Sequence, residues 1–318
     1  MEHTIKSIIK KSIMSCHKVG SLLDRSILDR DIECRWPPVF IIGAPRSGTT
    51  LLYQILFNSY RFSCFPNIAN LFYMCPVTAT HVGLKMFKNH NTNFVSRFGF
   101  EKGIMAPSEG GNIWNRWFPY EKREGFNYTA EGYLSREAVE AIYRTVANQE
   151  RLYGGPFLAK NVKMSVRIGA LSDVFPDSVF IQTKRNSFDV ALSILTIRRR
   201  MNLQWWSVMP REIESLWNLS DVEQVCYQVY HIEETIRKDI ASYFDGRLYL
   251  VEYERLCERP LEVLDELIRF LSNYIGTIQR KDFYIPSHFK KSKPDTEGLI
   301  SSNEQKVMKS ILKRLYGK

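Results

Sequence analysis

The stretch VFIIGAPRSGTTLLYQIL, Val39 to Leu56, decides the fold. Its first four residues are apolar and three are β-branched, and they run straight into Gly43. A short unbroken apolar run of this kind predicts a buried strand over Val39–Ile42. A Gly43–Gly48 turn follows. Leu51, Leu52, Ile55 and Leu56 then recur at helical spacing and mark the inner face of a helix. A strand, a glycine turn and a helix N-terminus together point backbone N–H groups into a concavity that suits an anion. The glycines allow close backbone approach. Ser47, Thr49 and Thr50 add hydroxyl donors, and Arg46 adds a fixed charge with a planar donor fork.

A nucleoside-triphosphatase loop reads Gly-x-x-x-x-Gly-Lys-Ser/Thr, with the lysine on the β/γ-phosphates and the hydroxyl on magnesium. Here Thr49 stands at the lysine position. No apolar strand ends in the aspartate that would be the second magnesium anchor. The strands run instead into Lys160, Lys184-Arg185 and Glu252. A magnesium-dependent kinase or nucleotidase is therefore the weaker alternative. A ligand-free turn is the plainest one, and the strand–turn–helix context with its in-loop arginine argues against it.

The rest of the chain repeats the alternation. Arg61–Cys64, Phe157–Lys160, Val179–Thr183 and Leu248–Val251 read as strands. Helices are expected near Arg136–Glu150, over Ser187–Arg199 and in two aromatic-rich stretches, the later spanning about 221–244. Pro260 sits near the first turn of another helix, whose Leu264, Leu267 and Leu271 face inward. The tail from Pro286 reads as basic loop, then helix. Short apolar strands alternating with helices predict an α/β fold of three layers, a mostly parallel central sheet flanked by helices. The expected organisation is a helical extension over 1–35, then one α/β domain over 36–318 with a long insertion at about 66–150.

The formal net charge of +10 over 318 residues predicts anionic partners. Nucleic acid is not expected among them, because no clustered base-stacking or groove-reading element accompanies the charge, and a non-catalytic nucleotide- or nucleic-acid-binding protein stands as a further, weaker alternative. The six cysteines, at 16, 34, 64, 75, 226 and 257, form no Cys-x-x-Cys pair and read as reduced structural thiols. No stretch has the apolar core of a signal peptide or the length to span a bilayer, so a cytoplasmic protein is expected. Ile5, Ile8, Ile9 and Ile13 lie at helical spacing with Lys6, Lys10 and Lys11 between them. That pattern fits either a helix packed on the domain or weak association with a membrane. No His, Cys and acid group has metal-ligand spacing.

GAPRSGTT after its strand closely resembles the 5′-phosphosulfate-binding loop of sulfotransferases that use 3′-phosphoadenosine 5′-phosphosulfate, PAPS. FPDSVFIQTKRNSFDVALS resembles the segment with which that family grips the 3′-phosphate. LYLVEYERLCERPLEVLDELIRFL resembles its late strand and helix. The resemblance implies the P-loop-type fold, PAPS as sulfuryl donor, and no metal. It implies donor contacts from Arg46, Ser47, Gly48, Thr49, Thr50, Arg185, Ser193 and Tyr253. In the tyrosylprotein branch a glutamate after the loop helix is the base; here Asn67 falls near that place. An arginine of that branch falls on Ile197, with Arg198 beside it. Lys290, Lys291 and Lys293 replace the family's glycine-bearing C-terminal loop as phosphate candidates.

Sulfuryl transfer places growing negative charge on the bridging oxygen of the departing bisphosphate, where fixed cations are most effective. Arg46 is one candidate. Lys160 is the other, matching a lysine of the tyrosylprotein branch, with a solvated strand-end lysine as its alternative reading. The acceptor hydroxyl needs a base. Glu109, in APSEGGNIW, is the candidate, since Gly110 and Gly111 let the backbone approach a ligand, and some bacterial sulfotransferase-like proteins carry a similar Pro-x-Glu segment. The alternatives are a loop carboxylate on the surface or a partner for Arg116. His81 is the second candidate base. The aromatics and arginines of NIWNRWFPYEKREGFNY and LQWWSVMP, with Arg198, Arg199 and Arg200, read either as acceptor pocket or as local core. The expected acceptor is a hydroxyl compound, a glycan, a lipid-linked sugar or a small molecule.

Overall fold

The computed structural model describes residues 24, 28, 31–87, 92, 94–96, 99–118, 127–294 and 296–317. Strand β1 (Val39–Ile42) turns through Gly43–Gly48 into helix α1 (Thr49–Ser59). Helices α2 (Asn67–Leu71), α3 (Pro76–Met86), α4 (Gly111–Trp114) and α5 (Arg136–Tyr153) precede β2 (Leu158–Lys160). A 3-10 turn at Val162–Val166 and α6 (Ile168–Val174) lead to β3 (Val179–Lys184). Then come α7 (Ser187–Arg200), α8 (Ile213–Leu216), α9 (Asp221–Tyr243), β4 (Leu248–Glu252), α10 (Tyr253–Glu258), α11 (Pro260–Ile275) and α12 (Ser302–Tyr316).

The four strands form one parallel sheet in the order β2-β1-β3-β4. Phe40 sits between Ala159 and Phe180 in register. The strand period of two sorts side chains to opposite faces. Phe40, Ile42, Ala159 and Phe180 face a core shared with α6, α7, α9 and α12. Val39, Ile41, Leu158 and Ile181 face the other core, shared with α1 and α11. Both faces are covered, which is why β1 reads as an unbroken apolar run instead of an alternating one. Phe40 is wholly buried, and burying such a side chain contributes roughly 1.5–3 kcal/mol. The expected α/β architecture, a parallel sheet flanked by helices, is the one observed.

Three local expectations need correction. Arg61–Cys64 is not a strand of the sheet; it makes only isolated bridges, Tyr60 to Arg280 and Ser63 to Phe157. Ser63 accepts from Leu158 N–H at 2.8 Å and donates to Pro156 O at 2.8 Å. Pro156 and Pro66 carry no N–H, so no ladder extends past them. The first aromatic-rich helix shrinks to α8, because Asn202 and Ser207 hold positive φ of 50° and 69° and break the backbone before Pro210. Residues 31–35 are irregular. The rest of the N-terminal helical reading, including Ile5 to Ile13 and Cys16, lies outside the described residues apart from Asp24 and Leu28. The five described cysteines are free thiols. No helix of the described residues is long and apolar enough to cross a membrane.

Candidate active site at the carboxyl ends of the strands

The turn after β1 is held from behind. The Ser165 hydroxyl accepts from Gly43 N–H at 2.9 Å and donates to Gly43 O at 3.0 Å. The Ser47 and Thr183 hydroxyls pair at 2.7 Å. Gly43 has φ +145°, and a Cβ there would lie 2.7 Å from Thr183 O. Gly48 has φ +103° and caps α1, and its Cβ would lie 2.4 Å from the Tyr253 ring. Only glycine permits both the conformation and the approach. Neither a side-chain cap nor an acidic residue occupies the first turn of α1. Its leading N–H groups therefore lie at the cavity without a side-chain cap among the described residues, beside the positive end of the helix dipole.

Cations converge on this turn. Arg46 adopts φ 71°, and its Nε donates to Ser193 Oγ at 3.1 Å. Arg185 Nη1 donates to Arg46 O at 3.4 Å, Nη2 donates to Ser292 O, and the guanidinium stacks 4.7 Å from the Tyr253 ring centre. Arg185 is 6 % exposed, its Nη2 lies 3.8 Å from Asp189 Oδ2, and its Nε has no hydrogen-bond partner among the described residues. A buried cationic donor without an acceptor is costly, and an anion would relieve that cost. Burial, then the neighbouring Arg185 charge, lowers the Arg46 pKa below the usual guanidinium value. Tyr253 accepts from Ser292 N–H at 3.0 Å, which ties the C-terminal loop to the same ring.

Lys160 ends β2 beside α1. It is 1 % exposed and ion-paired with Glu109, which is 22 % exposed. The same Nζ donates to Gly99 O at 3.2 Å and Thr50 Oγ1 at 3.3 Å. Asn161 Nδ2 donates to Glu109 O at 3.1 Å and fixes the backbone under the carboxylate. Gly99 has φ +87°, and a Cβ there would meet Glu109 Oε1 at 2.6 Å. A proton acceptor and a cation thus share one hydrogen bond at the open end of the phosphate-type loop.

Arg46, Gly48, Thr49, Thr50, Glu109, Arg185 and Tyr253 line a single cavity of about 440 Å³, with Phe94, Val162, Trp206 and Ser207 among its other walls. Lys160 closes it from behind Glu109. Ser47 and Ser193 are buried, with their hydroxyls bonded to Thr183 and Arg46. They shape the loop from beneath its surface. Lys291 and Lys293, with Lys309 of α12, line an adjoining cleft beyond Arg185 and Ser292, and Lys290 does not.

The other candidates stand elsewhere. Asn67 begins α2 and donates to Glu101 O and Gly103 O at 2.9 and 2.8 Å, which is a loop-pinning role. His81 lies half-buried on α3 and does not line the cavity. Arg116 donates to Tyr73 O at 2.9 Å and is not the partner of Glu109. Arg198 is buried against Trp205 and bonds Gln224 Oε1 at 2.6 Å. Arg199 bonds Asp221 and Glu304 and joins α7 to α9 and α12. Trp114, Trp117 and Phe118 pack into the core; Trp206 reaches the cavity. Gly99, Ser165, Thr183 and Ser292 were not foreseen. Each acts through its backbone or a short hydroxyl, with no sequence signal beyond a glycine or serine near a loop.

An uncharacterized protein of Aquifex aeolicus is 24% identical over 246 residues, 73% of this chain. The match spans about a quarter of that relative's own length (25%). The crystal structure of sulfotransferase STF9 from Mycobacterium avium superposes with a TM-score of 0.52 at 15% identity, covering 91% of this chain and 70% of that one, and so shares the fold. Sulfotransferase STF1 from Mycobacterium tuberculosis H37Rv is 14% identical with a TM-score of 0.48, covering 80% and 72%. The model of the sulfotransferase family matches residues 37–273, which take in the loop, Glu109, Lys160, Arg185 and Tyr253 alike, and the chain belongs to that family.

Proposed function

We propose that the protein transfers a sulfuryl group from PAPS to the hydroxyl of a glycan or lipid-linked sugar. The observation that carries this reading is the Glu109–Lys160 pair. It lies beside the glycine turn and the N-terminus of α1, and its Glu109 lines the same cavity as Arg46 and Arg185. The residues fit the donor. A close-approach glycine turn and the N–H groups of α1 suit its 5′-phosphosulfate, and the unpartnered Arg185 Nε suits its 3′-phosphate. Bound, the donor would supply a sulfuryl group whose bond to the bridging phosphate oxygen breaks as the acceptor oxygen takes its place.

The chain's own residues then have separable tasks. Arg46, Thr49, Thr50 and the α1 amides hold the 5′ end, and their fixed dipoles cost no reorganisation as charge develops. Arg185 holds the 3′ end, its plane set by Tyr253 and Ser292. Ser193 positions Arg46. Glu109 Oε accepts the proton of the acceptor hydroxyl. Lys160 Nζ, already in contact with Thr50, carries the positive charge toward the leaving oxygen. Its bond to Glu109 holds the carboxylate at the cavity wall.

Calorimetric titration with 3′-phosphoadenosine 5′-phosphate tests the donor half. The reading expects tight binding, weakened at least about tenfold by Arg185→Ala with Ser193→Ala, given that charged hydrogen bonds are worth about 1.5–3 kcal/mol each. Equal affinity in the double variant would remove the assigned 3′-phosphate site.

A further inference from the structure

Beside the cavity lies a face that the transfer reaction does not use. Seven of the fifteen large, exposed apolar side chains among the described residues fall between Leu71 and Ile104. Met86 is 70 % exposed, Val95 68 %, Phe100 57 %, Leu71 48 % and Ile104 43 %. Scattered exposed apolar residues are ordinary, but these are carried by α2, α3 and the loop that packs beside them. Ile68 N–H donates to Ile104 O at 2.9 Å, so the loop carrying Phe100 and Ile104 runs along the first turn of α2. Met105 and Ile68 pack together with Ala79 of α3, which brings Met86's helix alongside. The other end of the loop is Gly99, which bonds Lys160 and lines the cavity together with Val95. The apolar face is thus continuous with the rim of the candidate active site.

Its charge is one-sided. Between Asn67 and Ser108 the sequence has one acidic residue, Glu101, and it is buried. Lys85 and Lys102 are exposed on the same stretch. A face that is apolar at its centre, whose exposed charges between Asn67 and Ser108 are cationic among the described residues and whose neighbouring rim acid, Glu109, is paired with Lys160, matches a bilayer surface bearing anionic lipids. A soluble protein partner would more often demand charges of both signs, and self-association would place Lys85 and Lys102 against their own copies.

We propose that this α2–α3 face docks on an anionic membrane surface, with the cavity rim turned toward the headgroups, so that the acceptor hydroxyl comes from a membrane lipid. Docking stands on the surface alone; the acceptor's location rests on the sulfuryl-transfer reading. Cosedimentation of the full chain with lipid vesicles tests it. Vesicles of phosphatidylcholine alone are compared with vesicles containing about 30 % phosphatidylglycerol, whose negative potential attracts exposed lysines. The wild type is expected to bind the anionic vesicles. Met86→Glu with Phe100→Glu, and separately Lys85→Ala with Lys102→Ala, should each weaken binding at least about tenfold. Leu261→Glu with Val307→Glu, two exposed apolar residues on α11 and α12, should leave it unchanged. Circular dichroism confirms that each variant is folded.

The proposal is overturned by a wild type that does not prefer anionic vesicles. It is overturned equally by a control that loses binding as the patch variants do, or by patch substitutions that only disperse a dimer in size exclusion. Calorimetry with 3′-phosphoadenosine 5′-phosphate separates the two readings. Retained bisphosphate binding without vesicle binding defeats docking alone, and vesicle binding without bisphosphate binding defeats the donor assignment alone.

Discussion

At the scale of single residues, the site is a set of close approaches. Gly48 is the sharpest, because any Cβ would enter the Tyr253 ring. Gly48→Ala should shift that ring, remove one wall of the cavity, and cut affinity for 3′-phosphoadenosine 5′-phosphate by at least about tenfold, with a stability loss of order 1–3 kcal/mol from the strained backbone. Calorimetry and urea unfolding read the two effects separately. Glu109→Gln keeps the shape and removes the proposed base. It is expected to lower kcat about 100- to 10,000-fold while bisphosphate affinity stays near wild type. A parallel loss of affinity would mean that Glu109 serves the donor pocket instead of the acceptor. Ser193 and Ser47 differ in kind from these: their hydroxyls support the loop from beneath, so their loss acts through Arg46 and Thr183.

At the scale of elements, all four strands end at the same edge and deliver Gly43, Lys160, Arg185 and Tyr253 there. That convergence follows from a parallel sheet, whose crevice lies beyond its carboxyl ends. The strand–turn–helix stretch was legible because both apolar periods are unambiguous there. Glu109 was legible from its flanking glycines, but its contact with Lys160 spans a separation of 51 residues that no local pattern encodes. Arg61–Cys64 misled because its apolar residues serve packing, while the flanking prolines deny it a ladder. The LQWW stretch misled because two positive-φ residues break a helix that its composition favours. Helix α12 supplies a test at this scale. Ser301 caps it in a reciprocal box with Glu304, which also bonds Arg199 of α7. Ser301→Ala should cost about 0.5–2 kcal/mol in denaturant unfolding. An unchanged midpoint would show that α12 does not contribute to the cooperative core.

At the scale of the whole molecule, two apolar cores lie on either side of the sheet, and one buried carboxyl joins the edge of that assembly. Glu150 of α5 accepts from Arg35 N–H at 3.0 Å and Phe157 N–H at 3.2 Å. Burial outweighs these bonds and raises its pKa to about 7. The raised folded value means that the protonated carboxyl favours the fold. Its contribution is fully present below the ordinary glutamate range and is lost as pH rises through about 7. Unfolding free energy should therefore fall between about pH 4.5 and 7 in the wild type, and the fall should flatten in Glu150→Gln. A slope identical in both proteins would place the titration elsewhere.

The assignment of sulfuryl transfer joins all three scales, and transfer of radiolabelled sulfate from PAPS in chelator-containing buffer tests it most directly. Acceptors span glycans, lipids presented in vesicles, phenols and peptides. The account predicts label on a hydroxyl-bearing glycan or lipid with the wild type, and near-background transfer with Glu109→Gln and with Lys160→Met. Labelled product at wild-type rates from both variants, or magnesium-dependent ATP turnover in place of sulfate transfer, would contradict it.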